Sequence, residues 1–161
     1  MQQGLRLLKK GFAAQRSEGY MTIRTELEQR AREMFIHKGG EPVMRYPHYM
    51  TLGPCDWLNE WYETPAALAI PLDAFSEKHI SFTYGDLFPT MRYKDGKPYR
   101  EQIYTKSEII DMIATYGLPQ QWNNDGRNGP ERYIEVQIWD ETTIMQYTHK
   151  QHTTTTTRNP T

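Results

Sequence analysis

The seven residues Tyr133 to Trp139 alternate between two kinds of side chain, and that alternation limits the chain to folds built on a sheet. Ile134, Val136 and Ile138 offer an apolar face to a core. The opposite face carries Tyr133, Glu135, Gln137 and Trp139. A merely solvated face would show Lys, Thr or Ser in place of two large aromatics. Two arrangements account for it: a ligand-facing wall, or a face covered by a helix with Glu135 bonded to a turn. The residues alone weigh the two evenly.

The other periodic segments cluster strands together rather than alternating them with helices. Thr22 reads as the N-cap of a first helix with Ile23, Leu27, Ala31, Met34 and Phe35 on one face, ended by Gly39-Gly40. Tyr46 to Leu52 is a short strand stopped by Gly53-Pro54. Asp56 caps a short helix holding Trp57, Leu58, Trp61 and Tyr62. Residues 67–74 read as a strand that Pro71 confines to an edge, and residues 79–85 as a better one. Arg92 to Tyr99, with Asp95-Gly96 at its tip, predicts a hairpin with a type I′ turn. Thr105-Lys106-Ser107-Glu108 is a capping box, and Gly117 with Pro119 ends the helix it opens. Thr142 to Tyr147 reads as a last strand.

This order predicts an α+β single domain with a mainly antiparallel sheet and two or three helices. Residues 1–20 lack a sustained period and read as an appended, flexible segment. Residues 151–161, with five threonines in a row, read as a disordered tail, which leaves residues 21–150 as the folded unit.

With 161 residues the chain fits one domain, and 37% apolar and 12% aromatic residues suffice for one core. Net charge is −1, with Arg6, Lys9, Lys10 and Arg16 at the start and a mildly acidic body after them. That balance argues against coating nucleic acid by phosphate neutralisation. Arg92, Lys94, Lys97 and Arg100 form a local basic group that could meet a phosphate. A single cysteine, Cys55, cannot form an internal disulfide and fits a reducing compartment. No apolar run approaches a membrane span, so the expected address is cytoplasmic.

Walker, Rossmann and nucleophile-elbow fingerprints are missing, as are cysteine pairs for zinc. The loop Asn123 to Asn128 has the glycine of a calcium loop, but Gln121 and Arg132 stand where carboxylates belong, so no metal is expected. Three features remain as candidates. His48 lies in a strand among Arg45, Tyr46, Tyr49 and Thr51. Glu135 and Gln137 sit between aromatics on their strand. Ser81 and Thr83 put hydroxyls on one strand face ahead of a Gly85-Asp86 turn, where ligand contacts are common.

Together Phe82, Tyr84, Pro89 and Met91, and the run Ile134-Glu135-Val136-Gln137-Ile138, resemble ADP-ribosyltransferases, especially DNA-modifying toxins of the DarT type. The resemblance implies a split sheet clasping NAD. In it Glu135 is the catalytic carboxylate at the nicotinamide ribose, stabilising the developing oxocarbenium. His48, with Tyr49 beside it, would contact the ribose, Tyr84 would stack on nicotinamide, and Ser81, Thr83 and Gln137 would line the same site. The target would be nucleic acid or protein. Asp86-Leu87-Phe88 stands where the family carries an arginine, and its histidine-rich opening motif is not reproduced.

Two other classes fit the residues. One is an acidic, aromatic-rich protein-binding module of the immunity or inhibitor kind, using Trp57, Trp61 and Tyr62 as anchors. The other is a metal-independent ribonuclease using His48 with Arg45, Tyr49 or a second histidine.

Overall fold

Alternating side chains along three short segments pair edge to edge and make the centre of the fold. The computed structural model describes residues 4–7, 18–53 and 69–157. Its five strands are β1 (Gly4–Leu7), β2 (His48–Leu52), β3 (Ala69–Pro71), β4 (Ile80–Thr83) and β5 (Glu135–Ile138). They form one sheet in the order β3-β1-β2-β5-β4, and every pairing is antiparallel. The helices are α1 (Glu18–His37), α2 (Leu87–Arg92), α3 (Lys106–Tyr116), α4 (Pro119–Trp122) and α5 (Thr142–Thr157). The domain is α+β.

Register assigns the two faces. His48, Ile138 and Ile80 lie in one row across β2, β5 and β4, and Met50, Val136 and Phe82 in another. Side chains in such rows share a face, so these rows turn to the core with Leu52, Ile134, Tyr84, Ile109 of α3 and Ile144 of α5. The intervening rows are Tyr49–Gln137–Ser81 and Thr51–Glu135–Thr83, and they face the other way. There α1 contributes Ala31 and Phe35, and α2 contributes Leu87 and Met91, packed with Tyr49, Ile103 and Trp139. Residues 133 to 139 are buried on both faces. The covered-face arrangement of β5 is the one adopted, with Glu135 accepting from the Leu87 amide in the turn that opens α2.

The capping box forms as expected. Thr105 accepts from the Glu108 amide, and Glu108 returns the bond to the Thr105 amide at 3.0 Å. Gly117 closes α3 at φ 82°, in the left-handed region that glycine enters without a Cβ clash. Gly40 matters for a different reason. A Cβ there would stand 2.5 Å from the Phe35 ring, so the chain can turn over that ring only without a side chain.

Several expectations are corrected. Residues 1–20 are not wholly an appendage. Gly4–Leu7 lies inside the sheet, bonded to β2 on one side and β3 on the other, and α1 begins at Glu18 rather than after Thr22. Four residues are too few to show a period, and their place is set by two neighbouring strand edges. Pro71 does sit on an edge strand. The expected hairpin at 92–99 is a loop, because Arg100 donates to Asp95 at 2.8 and 2.7 Å and also to Glu131, tying the chain by ion pairs instead of a ladder. Thr142 to Tyr147 is helical. Asp140 accepts from the Thr142 amide at 2.9 Å and satisfies a free amide of that first turn. The helix continues to Thr157, into the threonine run set aside as a tail. The short helix expected around Trp57 to Tyr62 lies outside the described residues, as does Cys55.

Candidate functional site

The face of the sheet under α1 and α2 is unusually polar for a buried surface. Thr51, Ser81, Thr83, Glu135 and Gln137 are each 3% exposed or less. Buried polar groups are costly unless bonded, and here each finds a partner. The Trp139 indole donates to Ser81 Oγ at 2.9 Å, and Ser81 donates to Gln137 Oε1 at 2.9 Å. Gln137 Nε2 donates to Thr83 Oγ1 at 3.0 Å, and Thr83 donates to the Gly85 carbonyl at 2.7 Å. Donors and acceptors alternate along the whole chain of bonds. Thr51 donates to the Gly53 carbonyl at 3.3 Å.

Glu135 sits at the centre. Its Oε1 accepts from the Leu87 amide at 3.1 Å and from Gln137 Nε2 at 3.4 Å. Its Oε2 lies 3.5 Å from the Tyr133 hydroxyl, which itself donates to Asp86 Oδ2 at 2.8 Å. Burial, and after it the negative charge of Asp86, push the Glu135 carboxyl well above the ordinary carboxylate range. The Leu87 amide, Gln137 and Arg24 pull the other way without reversing that direction.

The covering helix supplies two residues that strand-based reasoning missed. Glu28 accepts from the Tyr49 hydroxyl at 2.9 Å, and Arg24 reaches Glu28 at 3.4 Å while its guanidinium lies 5.1 Å from the centre of the Tyr49 ring. Burial raises the Glu28 carboxyl, and burial followed by the Glu135 and Glu28 charges raises the Tyr49 phenol. The signal was in the sequence. Arg24, Glu28, Ala31 and Phe35 recur at helical spacing and so share the face turned to the sheet. At the rim, half-buried Tyr20 and Phe88 stack with ring centres 4.9 Å apart, and the Arg24 side chain keeps 17% of its surface exposed.

The seven expected site residues divide between the two faces. Tyr49, Ser81, Thr83, Glu135 and Gln137 come together under α1. His48 and Tyr84 belong to the opposite side. His48 is at the exposed end of β2, 3.3 Å from Glu141. Tyr84 is fully buried, donates to the Gly117 carbonyl at 2.6 Å and accepts from the Trp122 indole at 2.9 Å. Those bonds and the Tyr99 ring at 4.7 Å leave it a structural role, and no flat ligand can stack on it in this arrangement. Tyr49 projects to the face opposite His48, so the two do not form an acid–base pair.

The local basic group is committed internally. Besides Arg100, Lys97 pairs with Glu131 at 3.4 Å, Lys94 pairs with Glu101, and Arg92 lies 4.5 Å from the centre of the Phe88 ring. Among the described residues no group of three or more His, Cys, Asp and Glu stands together as a set of metal ligands, and no helix is long and apolar enough to cross a membrane. Comparison with protein-family models, with curated proteins and with solved structures finds no match to the chain.

Proposed function

We propose that the domain is an ADP-ribosyltransferase-like enzyme that consumes NAD and modifies nucleic acid or protein, with Glu135 as its catalytic carboxyl. The observation that supports this reading is the carboxyl itself, buried on a polar sheet face and held against ionisation by its surroundings. A group of that kind responds strongly to charge that develops beside it. Glu135 is 3% exposed beneath α1 and α2, so the reading requires these helices to draw back from the sheet for substrate to reach it. As nicotinamide leaves, positive charge appears on the ribose, and the ionised carboxylate becomes the favoured partner. The stabilisation is then specific to the transition state.

Arg24 supports the reading from a second side. It brings to this face the cation that the loop at Asp86-Leu87-Phe88 does not supply; its side chain keeps 17% of its surface exposed, and a diphosphate would take the place of Glu28, which it meets at 3.4 Å. Phe88 and Tyr20 are half-buried rings at the same rim. Gln137, Ser81 and Thr83 orient the carboxyl rather than touch substrate, since their polar atoms are spent on one another.

The experiment uses the full chain. NAD binding is measured by calorimetry, and nicotinamide release is followed with nucleic acid and protein targets present. Glu135→Gln should lower the rate of release by roughly 10² or more with little change in NAD affinity. Wild-type protein that neither binds NAD nor releases nicotinamide would overturn the proposal.

One observation favours a second reading. His48 and Tyr84 lie on the face opposite Glu135, as a protein-binding module without a shared cleft would have it. Its proposed anchors, Trp57, Trp61 and Tyr62, lie outside the described residues. Capture of a protein partner that survives Glu135→Gln and is lost with Trp57→Ala and Trp61→Ala would support this second reading.

A further inference from the structure

We propose that the first half of α1 is a gate, which unwinds from the sheet while the second half stays and so uncovers Glu135 and Gln137. The helix is held unevenly. Among the described residues from 19 to 28, the buried one is Glu28. The fully buried apolar residues of α1, Ala31 and Phe35, both belong to its second half, in the cluster with Tyr49, Ile103 and Trp139. Lifting the second half would return that apolar surface to water, which opposes the motion.

The contacts described for the first half exchange for water at smaller cost. Glu28 accepts from the Tyr49 hydroxyl at 2.9 Å and meets Arg24 at 3.4 Å. Once exposed, all three groups bond to water, and a carboxylate loses nothing by leaving a buried place. Further out, Tyr20 stacks on Phe88 of α2 with ring centres 4.9 Å apart, and this half-buried pair joins the two covering helices at the rim. Tyr49 stands across from Gln137 in the register of β2 and β5, so Glu28 lies over the row next to Glu135.

The second half is tied twice more. The Arg32 guanidinium donates to the Met44 carbonyl at 2.9 Å and to the Pro42 carbonyl at 3.0 Å, in a loop whose Val43 and Met44 amides bond the Trp139 carbonyl. Lys38, just past the helix, pairs with Glu108 at 3.0 Å. No glycine or proline stands between Tyr20 and His37 to serve as a hinge. The motion is therefore local unwinding, in which the weakly held part of a structure opens ahead of the rest. Under the transferase reading the gate would give substrate its way in, yet it stands on packing alone and is tested without NAD, so either can fail without the other.

The test is hydrogen exchange of the full chain followed by NMR, in which each amide yields an opening constant. Amides of Arg24 to Glu28 should share one value, roughly tenfold or more above that of Phe35 and of Val136 in β5. The Gln137 side-chain amide donates to Thr83 at 3.0 Å and to Glu135 at 3.4 Å beneath the helix, so its exchange should follow the first group. Tyr20→Ala, which removes the stack, should raise the first group and Gln137 by roughly threefold or more and leave Phe35 unchanged. The gate is overturned if both halves of α1 share one opening constant, or if exchange rises gradually toward residue 18 as in simple fraying. It is overturned equally if Gln137 follows Phe35, or if Tyr20→Ala leaves the first group unchanged.

Discussion

The Trp139 indole donates to Ser81 Oγ, 2.9 Å from nitrogen to oxygen, and the Ser81 hydroxyl in turn donates to Gln137 Oε1. Ser81→Ala would strand the indole N–H and the Gln137 carbonyl oxygen together in a buried layer. Leaving such groups unpaired costs about 1–3 kcal/mol. Denaturant unfolding of wild type and Ser81→Ala should show that loss, and a variant of unchanged midpoint would mean that water reaches this face.

Stability should fall with rising pH on account of Glu135. A folded-state value above the ordinary 4.5 means that the unfolded chain gives up this proton first. Stability from this group is complete below about pH 4.5 and is lost as pH rises through the folded value. Glu28 on α1 acts in the same direction. Among the described residues, the charged and titratable groups that act on Glu135 include Asp86 at the start of α2, Arg24 of α1, Tyr49 of β2 and Tyr133. Glu135→Gln should flatten the decline between acid and neutral pH, measured as unfolding midpoint against pH. A steeper decline in the variant would contradict the assignment.

Asp95 predicts the opposite slope at the acid end. Hydrogen bonding from Arg100 lowers its carboxyl to about 2. Its contribution is present above the unfolded carboxylate range and is lost as pH falls toward 2. Asp95→Asn should shrink the acid-side loss of stability and leave the neutral range nearly unchanged.

Removing residues 1–7 should destabilise the domain by well over ~1 kcal/mol, because the deletion exposes the ladder edges of β2 and β3 that β1 now occupies. Thermal unfolding of full and shortened chains is the measurement. An unchanged transition would show that the sheet is stable without β1.

The helix Lys106–Tyr116 offers a paired control. Thr105→Ala should cost about 1 kcal/mol through the lost cap. Gly117→Ala should cost about 1 kcal/mol or more, because position 117 holds φ 82°. Equal stability in the Gly117 variant would mean that the helix terminates in another backbone conformation.

Local structure was legible wherever neighbours in sequence are neighbours in space. The capping box at Thr105, the stop at Gly117 and the alternation of β5 all depend on contacts within a few residues, and all could be read directly. The α+β class followed from the clustering of those segments. The four residues of β1, the loop tied by Arg100 and the helical course of Thr142 to Thr157 were not legible. For β1 the deciding bonds run to β2 and β3, distant in the chain, and for the loop they are ion pairs of Arg100 to nearby Asp95 and distant Glu131 that no backbone pattern announces. Residues 142–147 offered a strand-like composition that the Asp140 cap overrode.

The candidate site divides along the same line. That Glu135, Gln137, Ser81 and Thr83 would occupy matching faces is a consequence of period two in each strand, and the sequence carries it. Whether that face would meet solvent or a helix was a question of packing. Arg24, Glu28, Ala31 and Phe35 answer it only after α1 folds back across β2 and β5, because burial is set by what lies opposite a side chain and not by its own strand. The upward shift of the Glu135 carboxyl is therefore tertiary in origin. Its carboxyl is shifted first by loss of water and then by Asp86, a residue 49 positions away brought close by the antiparallel register of β4 and β5. That same register turns His48 and Tyr84 to the far side of the sheet.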